Sequence, residues 1–318
     1  MTIYDRARRA LGSKDPAKLL EENRAIVGPR ARQMSRDAQA AMEAFDKGRD
    51  PTAAQHAALE VCIRISRPST LCGPATLGEL NAERAQVFPQ WSDFGTKVAK
   101  HLGAIGRLDR LHDPEAFGGP SYRHIGTGFL LREDVIATNR HVLEELSMGA
   151  MELDKGMARF DVDKHHGGKA GTPVDVVGVL AVHEQLDLAL LQCDPIELSD
   201  GRVVLSVEDD AARPEQLVCV IGHPGDDSRS PDFKELVYEG VYGVKRASPG
   251  EIIGSSGDTD FHDCSTLGGN SGSPVLDMAS GAVVGIHRSG YFMFRNEAVR
   301  APSASRWVAG TLGGGESN

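Results

Sequence analysis

The sequence predicts an all-α module followed by a larger all-β unit, and two observations carry that reading. Through residue 103 apolar side chains recur at helical spacing, and segments open on Asp15-Pro16 and Asp50-Pro51, each joining an N-cap to a proline at the first helical position. From about Gly103 the pattern changes to short apolar runs punctuated by Gly, Pro and Asp, as in a sandwich or barrel. The expected boundaries are a helical accessory or regulatory module over 1–103, a β unit over 104–310 and a flexible tail over 311–318. Glycines crowd the tail, which is expected to fray.

The first expected helix follows Asp15 and carries Leu19, Leu20, Asn23, Ile26 and Val27 until Gly28-Pro29 interrupts it. A second places Met34, Ala38, Ala41, Met42 and Phe45 on one face and stops at Gly48. A third runs from the Asp50-Pro51 cap to about Ser66, with Leu59, Cys62 and Ile63 inward. Arg67-Pro68 and Cys72-Gly73-Pro74 break the chain before a last helix between Trp91 and Leu102. These stripes read as a small helical core. The expected strands cover 104–111, 127–131, 135–138, 174–182, 188–193, 216–221, 236–245, 273–276 and 282–286.

At 318 residues the chain is long enough for two domains. Its 40% apolar and 25% charged residues are ordinary for a soluble protein, and no apolar run nears the roughly 18 residues of a membrane span. The N-terminus lacks the apolar stretch of a signal peptide, so a cytoplasmic protein with no membrane partner is expected. Five cysteines, at 62, 72, 193, 219 and 264, form an odd set without metal-type spacing, which implies reduced thiols. Charge is uneven: residues 1–105 carry a net +4 and residues 106–318 a net −14. The helical module either docks on its acidic neighbour or the two surfaces are separately solvated. A surplus of +4 without a concentrated basic stripe points to no nucleic-acid partner.

The chemistry concentrates near the C-terminal end. Thr266-Leu267-Gly268-Gly269-Asn270-Ser271-Gly272-Ser273-Pro274-Val275 presents Ser271 between glycines ahead of an apolar strand. A serine hydroxyl acts as a nucleophile only with a base and an orienting acid. His141 stands just after the strand pattern 135–138, and Asp187 opens the run Leu188-Ala189-Leu190-Leu191. The order His141, Asp187, Ser271 excludes an α/β-hydrolase, which puts its serine first on a strand-to-helix elbow. In such a triad His141 Nε2 takes the Ser271 proton and returns it to the leaving amine, while Asp187 holds the ring in the right tautomer. The N–H groups of Gly269 and Ser271 converge on the developing oxyanion.

Gly126-Thr127-Gly128-Phe129-Leu130 ahead of Thr138-Asn139-Arg140-His141, the Asp187 run, Val220-Ile221-Gly222-His223-Pro224-Gly225 and the Ser271 loop together resemble bacterial trypsin-like serine peptidases. The resemblance covers roughly residues 104–309. It implies a mainly β, chymotrypsin-like double β-barrel with the site in the cleft between the barrels. It also implies a serine endopeptidase that cleaves protein or peptide substrates through an acyl-enzyme, with no cofactor and no metal. Residues 263–271 and 284–290 are similar to the glutamyl endopeptidase branch, in which the positions matching Thr266 and His287 line the pocket for a glutamate side chain. A preference for Glu or Asp follows from that likeness.

Two departures matter. Asn270 stands where trypsins carry Asp, and no Ile-Val-Gly-Gly start occurs, so activation by insertion of a freed amine is not implied. In the glutamyl branch a mature N-terminal amine assists recognition; here the helical module would first have to be removed, with Glu115-Ala116 as a candidate self-cleavage point. The competing reading is a catalytically silent binding module on the same fold, against which the complete triad and oxyanion glycines argue. Among other candidates, His165-His166 lacks a third metal ligand at suitable spacing. His223 reads as structural, and Cys264 as a buried filler.

Overall fold

The computed structural model describes residues 2–12, 14–113, 115, 119–168, 171–197, 203–227, 234–291 and 295–313. Residues 2–66 form a cluster of helices: α1 (Ile3–Leu11), α2 (Pro16–Glu22), α3 (Arg24–Val27), α4 (Ala31–Asp46) and α5 (Ala53–Ser66). Asp15 caps α2 by accepting from the Ala17 and Lys18 N–H groups, with Pro16 in the first turn. Asn23 divides the helix expected over 16–27, because its side-chain amide donates to the Leu19 carbonyl at 2.8 Å and closes α2. Helix α5 starts at Thr52, not at Asp50: Thr52 and Gln55 form a reciprocal capping box. Leu20, Ala38, Ala41, Leu59, Cys62 and Ile63 are fully buried in this cluster. Helix α1 was not expected, since three arginines mask the short apolar face of Ala7, Ala10 and Leu11.

A short strand β1 (Thr70–Leu71), helices α6 (Ala82–Val87) and α7 (Trp91–Val98) and a 3₁₀ turn (Ala99–Ala104) lead to the first barrel. Phe88, Phe94, Val98 and Leu102 bury their side chains in one core with Ile105, Phe129 and Leu190 of the first barrel and Cys219, Ile221 and Leu276 of the second.

The first barrel comprises β2 (Ile105–Asp113), β3 (Ser121–Arg132), β4 (Val135–Thr138), β5 (Ala158–Asp161), β6 (Val174–His183) and β7 (Leu188–Cys193), with helix α8 (Arg140–Leu146) after β4. It closes in the order β2-β3-β4-β7-β6-β5. The second contains β8 (Leu217–Gly222), β9 (Arg246–Ser256), β10 (Thr259–His262), β11 (Pro274–Asp277), β12 (Val283–Tyr291) and β13 (Arg295–Arg300), with α9 (Glu235–Tyr238) before β9 and α10 (Ala301–Gly313) after β13. Its order is β9-β10-β13-β12-β11-β8, and pairing of β8 with β9 closes the ring. Strand β1 adds to β9, with Thr70 opposite Ala247.

The strand expected over 236–245 is replaced by α9 and a turn. Glu239, Gly240 and Gly243 adopt positive φ, which ends extended structure there, and Val237 and Tyr238 pack on Leu267. Strands β5, β10 and β13 and helix α10 were not expected. Residues 314–318 of the expected tail, and Ala116 of the candidate cleavage point, lie outside the described residues.

Candidate active site

Each triad position is set by its local chain. Strand β4 ends at Thr138, Asn139 precedes α8 without a side-chain cap bond, and His141 sits in that helix's first turn. Asp187 directly precedes β7 with φ 58°, a left-handed backbone uncommon outside glycine. Five bonds hold it there: Asn139 Nδ2 and the Arg140 N–H donate to its carbonyl, its own N–H donates to the Glu184 carbonyl at 3.4 Å, and the His141 N–H donates to Oδ1 at 3.0 Å. The fifth joins the two side chains, His141 Nδ1 to Asp187 Oδ2 at 2.8 Å. A neutral imidazole that donates from Nδ1 to a carboxylate would keep its Nε2 lone pair available as a base.

Ser271 comes from the second barrel, yet the first barrel holds it. The Thr127 N–H of β3 donates to the Ser271 carbonyl at 2.9 Å, and a Cβ at Gly126 would press on both that carbonyl and Val142, next to His141. The two halves of the site therefore meet at one glycine. Ser271 Oγ donates to the Arg288 carbonyl at 3.4 Å and makes no hydrogen bond to His141.

The oxyanion loop is braced by buried polar groups. Thr127 Oγ1 accepts from the His223 N–H at 3.1 Å and donates to the Gly269 carbonyl at 2.8 Å. Gly269 has φ 94°, and among the described residues no acceptor takes its N–H or that of Ser271. Buried Asn270 bonds to the Leu267 carbonyl through both its backbone and side-chain N–H groups. His124 lies against Gly269, and burial together with the Arg107 charge pushes it down to about 3. His223 is fully buried and held well below its ordinary value by desolvation and then Lys245. It stays neutral and structural. Sequence reasoning gave Thr127 and His124 no role, because each lies in a strand whose pattern shows only alternation.

Beside Ser271 opens a cavity of about 340 Å³ lined by Thr266, Leu267, His287, Ser289, Gly290 and Asn296 among others. Thr266 and His287, assigned to a substrate pocket on sequence grounds, thus share one cavity with Ser271. Among the described lining residues none belongs to residues 1–103. A Cβ at Gly290 would collide with Asn296 Oδ1, so glycine keeps this wall open. His287 Nδ1 lies 3.1 Å from His262 Nε2, and desolvation keeps both rings neutral, His262 near 3. Arg288 also lines the cavity, but its guanidinium pairs with Glu297 at 3.0 Å. Neither His262 nor Asn296 carries a local sequence signal.

The remaining candidates lie apart. All five cysteines are buried and unpaired. Among the described residues no group of three or more His, Cys, Asp or Glu could hold a metal, and no helix is long and apolar enough to cross a membrane. A larger cleft between α1, α6 and the second barrel is lined by Arg9, Glu215 and Glu251, which pair with one another, and contains no triad residue.

Two closed six-stranded barrels, with a His–Asp pair on one and a glycine-flanked serine on the other, are the arrangement of the chymotrypsin-like class. A family model described as a trypsin-like peptidase domain matches residues 126–286, half of the chain, and the protein belongs to that family. The chain is 28% identical over 173 residues to a glutamyl endopeptidase of Staphylococcus epidermidis, covering 52% of this chain and 54% of that one. A glutamyl endopeptidase of Staphylococcus aureus strain MW2 is 27% identical over 192 residues, covering 57% and 53%. The chain spans about half the length of these relatives. Among solved structures, a serine endoprotease from Yersinia pestis aligns with a TM-score of 0.47 at 15% identity, over 70% of this chain and 67% of that one.

Proposed function

We propose that the chain is a serine endopeptidase that hydrolyses peptide bonds through an acyl-enzyme on Ser271 and prefers an acidic side chain at the cleaved position. One observation supports the catalytic part: His141 Nδ1 meets Asp187 Oδ2 at 2.8 Å on the barrel that also holds the Ser271 carbonyl. In this reading Ser271 Oγ turns from the Arg288 carbonyl to His141, gives up its proton and attacks the substrate carbonyl. The N–H groups of Gly269 and Ser271 donate to the developing oxyanion, and His141 passes the proton to the leaving amine. Water, activated by the same imidazole, releases the acyl group. The acidic preference is supported by the shared cavity of Thr266, His287 and Ser271, and by the likeness to proteins described as glutamyl endopeptidases.

A fluorophosphonate probe tests the chemistry. Labelling of wild type and none of Ser271→Ala is the expected result; an unlabelled wild type overturns the enzyme reading in favour of a silent module. Cleavage-site profiling on a mixed peptide library, with His287→Ala for comparison, tests the preference. Cleavage mainly after residues other than Glu or Asp ends it.

A further inference from the structure

The cavity that receives the substrate side chain has no unpaired cation among its described lining residues, since Arg288 is engaged by Glu297 and Asp227 adds a carboxylate. An acidic side chain needs a source of positive potential there. One buried cation lies behind the wall. Arg64, on α5 of the helical module, is 5% exposed and makes one hydrogen bond, from Nη1 to the Cys264 carbonyl at 3.4 Å. Its Nε and Nη2 have no partner, and no carboxylate lies within ion-pair distance of it among the described residues. The charges that act on it are Glu60, engaged by Arg6, Asp263, engaged by Arg67, and the like charge of Arg6 itself.

Arg64 reaches the cavity wall by two routes. The Cys264 carbonyl it contacts also accepts from Asn296 Nδ2, and Asn296 lines the cavity. Its charge is felt at His262, whose Nδ1 is buried without a partner and whose Nε2 meets His287. Burial, and then the Arg64 charge, hold His262 neutral, and with Nδ1 buried and unpartnered the nitrogen that has a bonding partner for its proton is Nε2. His262 Nε2–H then donates to His287 Nδ1. His287 must carry its own proton on Nε2, the nitrogen left to meet a ligand.

We propose that Arg64 is a positioning residue for substrate specificity: from the helical module it orients the His262–His287 pair so that His287 offers an N–H, backed by positive charge, to a substrate carboxylate. The assignment rests on the acidic preference proposed above and deepens it. The helical module in this reading is a working part of the pocket, so its removal is not required for recognition.

The test uses the full chain and three peptides that differ only at the cleaved position, Glu, Gln or Ala. Wild type is expected to favour Glu over Gln and Gln over Ala. Arg64→Met lowers the Glu-to-Gln ratio of kcat/KM by about tenfold, mainly through KM, while Arg64→Lys keeps most of it. His262→Phe, which cannot donate to His287, lowers the Glu-to-Ala ratio in the same way and serves if Arg64→Met does not fold. An equal fall for all three peptides, or an unchanged ratio in Arg64→Met and His262→Phe, overturns the assignment while leaving the acidic preference standing. A wild type that shows no preference for Glu overturns the preference itself.

Discussion

At the scale of single residues, the chemistry rests on where protons sit. In the proposed mechanism Asp187 sets the His141 tautomer through one 2.8 Å bond, and its left-handed backbone is held by four others. Asp187→Asn keeps the shape but replaces an acceptor with an amide that favours the wrong tautomer. Steady-state kinetics on any cleaved peptide should show kcat reduced by roughly 10⁴-fold with KM little changed; a loss under tenfold would mean that the carboxylate does not orient the base. His141, Asp187, Ser271 and Gly269 could be proposed from the chain alone because triad chemistry demands those residue types in a recognisable order. His262, Asn296 and Arg64 could not. Their positions depend on β10, β13 and α5 converging behind one cavity, and no spacing along the chain records that convergence.

At the scale of elements, strands were visible where an apolar run met a barrel core and invisible where the residues were polar. Val135–Thr138 and Leu188–Cys193 are almost wholly buried and read clearly. Thr259–His262 and Arg295–Arg300 are neighbouring antiparallel strands of the second barrel that carry many polar side chains, and Arg246–Ser256 contains Pro249 and Gly250, which argue against a strand when seen alone. The loops between elements carry the function, and Thr127 joins two of them. Its hydroxyl serves the His223 N–H and the Gly269 carbonyl at once, in a fully buried position. Thr127→Val strands both groups. Chemical denaturation should show a loss of about 1–3 kcal/mol, and release of the Gly269 peptide should slow kcat by up to about 10²-fold. Unchanged labelling kinetics with fluorophosphonate would show that the loop does not need this brace.

At the scale of the whole molecule, the helices and the second barrel are joined by buried charge. Arg67 Nη2 reaches Asp263 at 2.7 Å and Glu251 at 2.9 Å, all three about 1% exposed or less at their side chains, while Arg9 adds a second contact to Glu251 at 2.8 Å. Asp263 lies three residues before Thr266, so this network also anchors the cavity wall. Burial pushes both carboxyls up; Arg67 and Arg6 more than offset that at Asp263, which ends below its ordinary value, whereas Glu251, facing Asp263 as well, ends above its own. Arg67→Met removes the cation and leaves two buried carboxylates with Arg6 and Arg9 alone, a change worth about 3–5 kcal/mol in comparable networks. The sign with pH follows from linkage. Asp263, with its depressed folded value, contributes stability above the ordinary aspartate range and loses it as pH falls through the folded value, so wild type draws its full benefit at neutral pH. In Arg67→Met the carboxyls take up protons more readily, and acid relieves their repulsion. The gap in Tm between wild type and Arg67→Met should therefore be widest near pH 8 and narrow toward pH 4. Both proteins also lose stability from about pH 6.5 downward, because His262 is buried neutral with a folded value near 3 and its protonation favours the unfolded chain, so only the difference between the two curves isolates the Arg67 network. A gap that stays constant across this range would mean that Arg67 stabilises the junction by packing on Phe88, whose ring its guanidinium overlies, and not by charge.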